Sequence, residues 1–84
     1  MLYTIQNDRI RVSIDTLGAQ MQSITAADGT EYLWYGDKTF WGSRATNLFP
    51  YVGRLTEGRY TFGSKSYTMT PHGFAKRMEF TVIE

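Results

Sequence analysis

The sequence predicts an all-β protein made of short antiparallel strands. Apolar and polar residues alternate with a period of two in several segments, which is typical of strands with one buried face. Aromatic residues make up 15% of the chain, and its eight glycines accompany frequent turn signals. A chain of 84 residues forms one small domain at most, and such a domain buries only roughly 60–65% of the surface that its unfolded form exposes.

The first half of the chain is predicted to form an antiparallel meander. The clearest alternation places Ile10, Val12 and Ile14 on one face of a strand, with charged and hydroxyl residues on the other face. Turn dipeptides separate the strands, and Asn7-Asp8 is the first of them. The predicted strands of this meander are Leu2–Gln6, Arg9–Asp15, Gly18–Thr25 and Glu31–Tyr35.

The second half is predicted to contain a hairpin and a final strand. Gly58–Phe62 and Lys65–Met69 alternate around Gly63-Ser64, with glycine first in the turn as a type II′ turn requires. Met78–Glu84 alternates too, but with apolar residues on both faces. Such a strand is normally paired on both edges and covered by a second layer. We therefore expect the chain to be the front part of a larger β-protein, and self-association through the exposed edge of this strand is a further hypothesis.

The segment Gly36–Ala45 has no clear period and fits a short helical turn and a packed loop equally well. Two tryptophans, Trp34 and Trp41, lie just before it and within it. Large aromatic side chains dominate core burial, so both are more often part of a core. The alternative is an apolar platform under a ring-shaped ligand, and the sequence does not separate the two.

Composition excludes several classes of function. A net charge of +1 with 20% charged residues gives no electrostatic basis for binding nucleic acid. The chain has no cysteine and one histidine, so neither disulfides nor a zinc site is predicted, and no organic cofactor is indicated either. No apolar run approaches the roughly 20 residues of a membrane span, and the N-terminus lacks a signal peptide's apolar stretch. A cytoplasmic protein without membrane contact is the default prediction.

Two turns carry the candidate site. Arg54 follows Gly53, and the chain's one histidine, His72, stands between Pro71 and Gly73. Proline fixes φ and glycine tolerates positive φ, so each turn is a shaped backbone that directs a side chain outward. Two polar side chains on loops beside a β-scaffold are typical of a small-molecule site. Taken without context, however, a solvated or ion-paired arginine and a turn-stabilising histidine are the commoner states.

Several motifs follow one another between Trp34 and Phe80. They are EYLWYGD, FWG, NLFPYVGRL, GRYTFGSKSY and HGFAK. In this order and spacing the chain resembles the aldose 1-epimerase (galactose mutarotase-like) family, and within it the LacX-like branch. Any one of these motifs alone would be a weak signal, but their agreement in order and spacing is specific.

The resemblance implies a large antiparallel β-sandwich, the galactose mutarotase-like supersandwich. Residues 1–84 would be the N-terminal quarter to third of this single domain. The complete protein would interconvert the α and β anomers of a hexose or hexose phosphate by opening the ring, rotating the C1 carbonyl and reclosing. That reaction needs a general base for the C1 hydroxyl and a general acid for the ring oxygen. In the family both lie beyond the part matched here, so the 84-residue chain alone is predicted to be inactive.

Two residues of this chain match positions that bind substrate in the family, and a third, Lys76, is predicted to bind substrate although it departs from the family pattern. Arg54 matches the substrate-binding arginine, and His72 matches the first active-site histidine. His72 is therefore predicted to be catalytic, because it would hydrogen-bond the sugar and support charge at the ring oxygen. Lys76 stands where the branch usually has arginine after H-G-F-A, and it keeps the charge without the bidentate fork. None of the glutamates falls in a motif that would make it the base; they are Glu31, Glu57, Glu79 and Glu84.

Two other functions remain open at this point. One is a non-catalytic carbohydrate-binding module on the same scaffold. The other is a structural or interaction β-domain, in which Arg54 and His72 merely satisfy their turns. The expected partner of the epimerase, and equally of the carbohydrate-binding module, is a small-molecule sugar.

Overall fold

Short antiparallel strands form the regular structure of the protein. The computed structural model describes residues 1–83. Its strands are β1 (Leu2–Gln6), β2 (Ile10–Asp15), β3 (Gln20–Ala26), β4 (Arg59–Phe62) and β5 (Lys65–Thr68). The helical elements in the described part of the chain are single 3₁₀ turns at Thr56–Gly58 and Ala75–Arg77. The all-β, antiparallel prediction is confirmed, and no helix among residues 1–83 is long and apolar enough to cross a membrane.

The first three strands form a meander in the order β1-β2-β3. Local chemistry closes its first turn, because the Asn7 side-chain oxygen accepts hydrogen bonds from the backbone N–H groups of Arg9 and Ile10 at 2.8 and 2.9 Å. The register of β2 and β3 shifts between Ser13 and Ile14. The three predicted strands are confirmed, with boundaries that move by one or two residues.

The predicted fourth strand, Glu31–Tyr35, is wrong. Only Glu31 pairs, through an isolated bridge to Thr25. The Glu31 carboxylate accepts the N–H of Ile24 at 2.7 Å and the N–H of Leu33 at 3.1 Å. A side chain thus occupies donors that a sheet ladder would have used, and the chain leaves the sheet after one residue.

The hairpin β4–β5 is confirmed. Gly63 has φ 65°, and Ser64 is not among the residues with positive φ, as a type II′ turn requires. Tyr60 and Tyr67 are paired across the strands and stack with ring centroids 5.2 Å apart. This cross-strand aromatic pair stabilises the register of the hairpin.

The predicted strand Met78–Glu84 is not formed over residues 78–83, and Glu84 lies outside the described residues. One bridge joins Glu79 to Leu17, flanked by a hydrogen bond from the Gly18 N–H to the Met78 carbonyl at 2.7 Å. The Phe80 N–H still donates to the Thr16 carbonyl at 2.8 Å, but the residues after Phe80 would have to pair with β2, whose two edges are already paired with β1 and β3. Self-association through this segment stays a hypothesis.

The described residues enclose almost no core. Their radius of gyration is 16.4 Å, whereas a packed domain of this length would have about 12 Å. Ala75 is the one apolar side chain larger than glycine that is buried in this part of the structure, and Phe40, Phe62 and Ile83 are 79%, 79% and 94% exposed. Apolar surface on this scale is typical of a layer that another layer covers.

Loop contacts, rather than a core, join the meander to the segment that carries the candidate site. The Asn47 side-chain amide donates to the carbonyls of Gly18 and Ala19 at 2.9 and 2.8 Å. Further along, the Phe49 carbonyl accepts the N–H groups of Phe74 and Ala75 at 2.9 and 3.2 Å. The segment that precedes the Arg54 turn is thus hydrogen-bonded to the segment that follows the His72 turn.

Gly73 lies directly against the Phe49 carbonyl and has φ 76°. A Cβ at this position would be 2.1 Å from the Phe49 oxygen and 2.7 Å from Pro50 Cδ. No ordinary side chain fits there without moving the backbone. Glycine is therefore required at this position for two reasons: the positive φ and the lack of space for a side chain.

We expect Gly73→Ala to lower the free energy of unfolding of the complete protein by about 3 kcal/mol or more. The new Cβ would overlap the Phe49 carbonyl, and alanine would also be strained at the positive φ of this position. Gly29→Ala is the matched control, since Gly29 has φ 91° but nothing within 4 Å of an added Cβ. It should cost only about 1–2 kcal/mol. Urea unfolding of both variants measures the difference, and equal losses would contradict the tight contact at Gly73.

Candidate functional site at two bonded turns

The two turns predicted to carry the site are bonded to each other. The Gly53 N–H donates to Nδ1 of His72 at 2.9 Å, and the His72 N–H donates to the Gly53 carbonyl at 2.8 Å. This reciprocal pair, called the turn clasp below, joins residues 19 positions apart. It fixes the imidazole relative to the backbone that precedes Arg54.

The sequence around His72 dictates its local backbone. The Gly73 N–H donates to the Thr70 carbonyl at 3.1 Å, which closes a four-residue turn with Pro71 and His72 at its centre. His72 has φ 65°. Proline at the second position and positive φ at the third are the features of a type II turn. Histidine tolerates the left-handed region better than most residues do, and the turn clasp holds it there.

The turn clasp also decides what the imidazole can offer to a ligand. Because Nδ1 of His72 accepts the Gly53 N–H, the proton of the neutral ring is carried by Nε2. His72 is half-buried. Its Nε2–H is therefore the hydrogen-bond donor left for a molecule bound beside it.

His72 lines a cavity of about 640 Å³, within the size range of small-molecule sites. Lys76, a second predicted site residue, lines it too. The cavity, called the basic cavity below, is lined by Gln20, Trp41, Ser43, Arg44, Thr46, Leu48, His72, Lys76 and Arg77. Loops from both halves of the chain thus contribute to one concave surface.

Arg54 is placed differently. Its turn touches that of His72 through Gly53, but its side chain is exposed and does not line the basic cavity. Among the interactions of residues 1–83, Arg54 has no side-chain hydrogen bond or ion pair. The structure brings the two predicted turns together, but it does not bring the Arg54 and His72 side chains into the lining of one cavity. Its role in binding substrate stays a prediction.

The two tryptophans are exposed rather than packed in a core. Trp41 is 70% exposed and lines the basic cavity, and Trp34 is 39% exposed. The Trp34 indole N–H donates to the Trp41 carbonyl at 2.6 Å. Trp34 therefore supports the loop from which Trp41 presents an apolar ring beside His72.

Two cations of the basic cavity, Arg44 and Arg77, were not predicted from the sequence as site residues. Arg44 donates from Nη1 to the Gln22 carbonyl at 2.8 Å, and Arg77 donates from Nη2 to Thr70 Oγ1 at 2.9 Å. Lys76 donates to the Pro71 carbonyl at 3.3 Å. The only signals for the two arginines are the position of Arg44 shortly after F-W-G and that of Arg77 beside Lys76.

No carboxylate lines the basic cavity in the described part of the structure. Elsewhere, hydrogen bonds lower the pKa of several carboxyl groups. For Glu31 the largest cause is the hydrogen bond from the Ser23 hydroxyl, followed by the N–H of Ile24. Backbone N–H groups lower the pKa of Asp15, Asp28 and Asp37. A carboxylate with a lowered pKa is a poorer proton acceptor, so these groups belong to turns rather than to general base catalysis.

Metal ligands are not grouped in the described residues either. Among residues 1–83, no three side chains of the histidine, cysteine, aspartate and glutamate types lie close enough to hold an ion. What the basic cavity presents is a set of hydrogen-bond donors, three fixed positive charges and one aromatic ring.

Comparison with known proteins decides the family. The family model described as aldose 1-epimerase matches residues 1–84. The chain belongs to the aldose 1-epimerase family. Protein LacX (plasmid) of Lactococcus lactis subsp. lactis is 35% identical to it over 89 residues, which cover 100% of this chain and 30% of the relative. The chain therefore spans about 30% of the length of the curated relatives it matches.

Two solved structures show the same fold in longer family members. A galactose mutarotase related enzyme from Lactobacillus acidophilus matches with a TM-score of 0.95 and 41% identity, over 100% of this chain and 28% of that one. A galactose mutarotase-like protein from Lactobacillus casei ATCC 334 matches with a TM-score of 0.92 and 41% identity, over 96% and 28%. The predicted resemblance to an N-terminal portion of this aldose 1-epimerase fold is confirmed.

The turn clasp predicts the tautomer of His72. In the neutral imidazole of His72 we expect the proton on Nε2 and an unprotonated Nδ1. Long-range ¹H–¹⁵N correlation spectra of the complete protein distinguish the two ring nitrogens directly. A proton on Nδ1 would contradict the hydrogen bond from Gly53.

Proposed function

We propose that the complete protein binds a hexose or hexose phosphate in the basic cavity and interconverts its α and β anomers. The observation that carries this proposal is His72, which the turn clasp holds at the wall of a sugar-sized cavity in a member of the aldose 1-epimerase family. The relative from Lactobacillus acidophilus is described as a galactose mutarotase related enzyme, which supports the same reaction class.

In this reaction the C1 hydroxyl loses its proton while the ring oxygen gains one and the C1–O5 bond breaks. The open-chain aldehyde then rotates about its C1–C2 bond and recloses on the opposite face. His72 would donate from Nε2 to the sugar and so favour negative charge that develops at the ring oxygen. Lys76 would bind hydroxyl or anionic groups of the substrate at the cavity wall, whereas Arg54 would contact only a part of the substrate that extends beyond the lining of the basic cavity.

General base and general acid are assigned to residues beyond position 84. This agrees with the absence of a carboxylate from the lining of the basic cavity among the described residues. A chain of these 84 residues alone should leave the rate of glucose mutarotation unchanged. A cytoplasmic location, where hexoses and their phosphates are metabolised, fits this function.

A second candidate is a sugar-binding module without catalysis, which the exposed Trp41 ring and the donors that line the basic cavity support. Donors and an aromatic ring suffice to bind a sugar, whereas exchange of anomers needs proton transfer in both directions. One measurement on the complete protein distinguishes the two functions. Binding of a hexose without any acceleration of anomer exchange would identify the module.

His72→Asn separates the ligand role of His72 from its role in the turn. Asparagine tolerates positive φ, and its Oδ1 can accept the Gly53 N–H in place of Nδ1, but it has no donor where Nε2–H stands. We expect the free energy of unfolding of the complete variant to lie within about 1 kcal/mol of the wild-type value. Its kcat/KM for anomer exchange should fall about 100-fold, as for loss of one donor to a developing oxyanion.

Polarimetry on freshly dissolved α-glucose and α-galactose measures the rate, and thermal unfolding measures the stability. His72→Ala serves as the comparison, because it removes the acceptor of the Gly53 N–H as well as the proposed Nε2–H donor and should lose stability as well as activity. A His72→Asn variant with the wild-type rate would show that the imidazole serves the turn alone.

A further inference from the structure

We propose that Glu31 is a positioning residue for sugar binding. Its carboxylate fixes the segment that leads into Trp34, and Trp34 in turn holds Trp41 at the wall of the basic cavity. This inference rests on the proposed sugar-binding function and adds to it a residue outside the cavity. Glu31 does not line the basic cavity, so it acts through other residues rather than on the sugar.

The carboxylate of Glu31 joins β3 to the residue directly before Trp34. One of its oxygens accepts the Ser23 hydroxyl, and the other accepts the N–H of Ile24 at 2.7 Å and the N–H of Leu33 at 3.1 Å. These bonds lower the pKa of the carboxyl group, the Ser23 hydroxyl most of all, so the group is ionised at neutral pH. One charged side chain thus holds a strand and the start of a loop together.

Backbone pairing alone does not reach as far along the loop. The Tyr32 N–H donates to the Ile24 carbonyl at 2.8 Å, next to the isolated bridge between Thr25 and Glu31. Among the backbone hydrogen bonds of residues 1–83, none joins Leu33 to β3. The carboxylate is therefore the group that extends the attachment to Leu33.

Trp34 carries this constraint across the loop to the cavity. Its indole N–H donates to the Trp41 carbonyl at 2.6 Å, and its ring lies 4.7 Å from that of Tyr35 and 6.5 Å from that of Phe40, centroid to centroid. The backbone of Trp41 is thus placed relative to Trp34. The Trp41 ring is 70% exposed and lines the basic cavity, where its apolar face suits the C–H groups of a pyranose.

The far end of the loop has an anchor of its own. Arg44 donates to the Gln22 carbonyl at 2.8 Å, so loss of the Glu31 carboxylate loosens the near end without detaching the loop. Among the described residues, no hydrogen bond joins residues 34–44 to the turn clasp, so His72 keeps its place. We therefore expect weaker sugar binding with unchanged chemistry.

Glu31→Ala in the complete protein tests this expectation, because it removes all three acceptor contacts. The KM for α-glucose and α-galactose should rise about fivefold, since the bound sugar loses an ordered aromatic ring. The kcat should stay within about twofold of the wild-type value, since the groups that transfer protons are untouched. Polarimetry measures both constants.

The indole N–H of Trp34 reports the contact directly. Its ¹H–¹⁵N resonance is assigned by its absence from Trp34→Phe, and in Glu31→Ala it should move toward the position of a water-exposed indole. Trp34→Phe also removes the donor to the Trp41 carbonyl and should raise KM about as much as Glu31→Ala. The two changes combined should not add, because they break one chain of contacts.

Glu31→Gln is the conservative variant. Its amide oxygen can accept the two N–H groups, and its amide nitrogen can donate to the Ser23 hydroxyl, so the KM and the indole resonance should stay near wild type. Asp28→Ala is the matched control. It removes a carboxylate of the preceding turn that accepts the Thr30 N–H at 2.9 Å, and it should leave both readouts unchanged.

The outcomes separate this inference from the function on which it rests. A wild-type KM in Glu31→Ala, or a raised KM with an unmoved Trp34 resonance, would overturn the inference and leave the sugar function intact. Equal losses in Asp28→Ala, additive losses in the double variant, or a Glu31→Gln variant that behaves like Glu31→Ala would also overturn it. A complete wild-type protein without any effect on anomer exchange and without affinity for either hexose would overturn both.

Discussion

The reciprocal hydrogen bonds between Gly53 and His72 are the constraint on which the rest of the site depends. Between these residues the chain makes a whole hairpin, and the turn clasp joins its two ends, next to the hydrogen bonds from Phe74 and Ala75 to the Phe49 carbonyl. Nδ1 of the imidazole accepts the Gly53 N–H, and Nε2 remains available to a bound molecule. Gly73 completes the arrangement, because its missing side chain lets the second turn lie against the Phe49 carbonyl.

Hydrogen bonds between loops hold this part of the molecule together, since few of its side chains are packed in a core. The apolar side chains of residues 1–83 are largely exposed, so the loops are held by Asn47, by the Phe49 carbonyl and by the turn clasp. Hydrogen bonds of this kind each contribute only about 1 kcal/mol, and they set geometry more than stability. The same loops present an aromatic ring and three cations to one cavity, which is why the site is concave although the core is thin.

Sequence patterns predicted what depends on local chemistry. The Pro71-His72-Gly73 turn, the hairpin and the first three strands follow from preferences of neighbouring residues, and all are present. What failed depends on contacts that a periodic pattern does not encode. The carboxylate of Glu31 replaced a strand ladder, and the residues after Glu79 met β2, whose two edges are already paired. Arg44 came to the cavity on a loop without period, where no pattern indicates the direction of a side chain.

Hydrogen exchange at the Gly53 amide tests the turn clasp most directly. In the complete protein we expect this amide to exchange at least tenfold more slowly than an unprotected one, since its hydrogen bond to Nδ1 must open first. The protection should disappear in His72→Ala and persist in His72→Asn. A Gly53 amide that exchanges at the same rate with and without the imidazole would contradict the clasp and the site built on it.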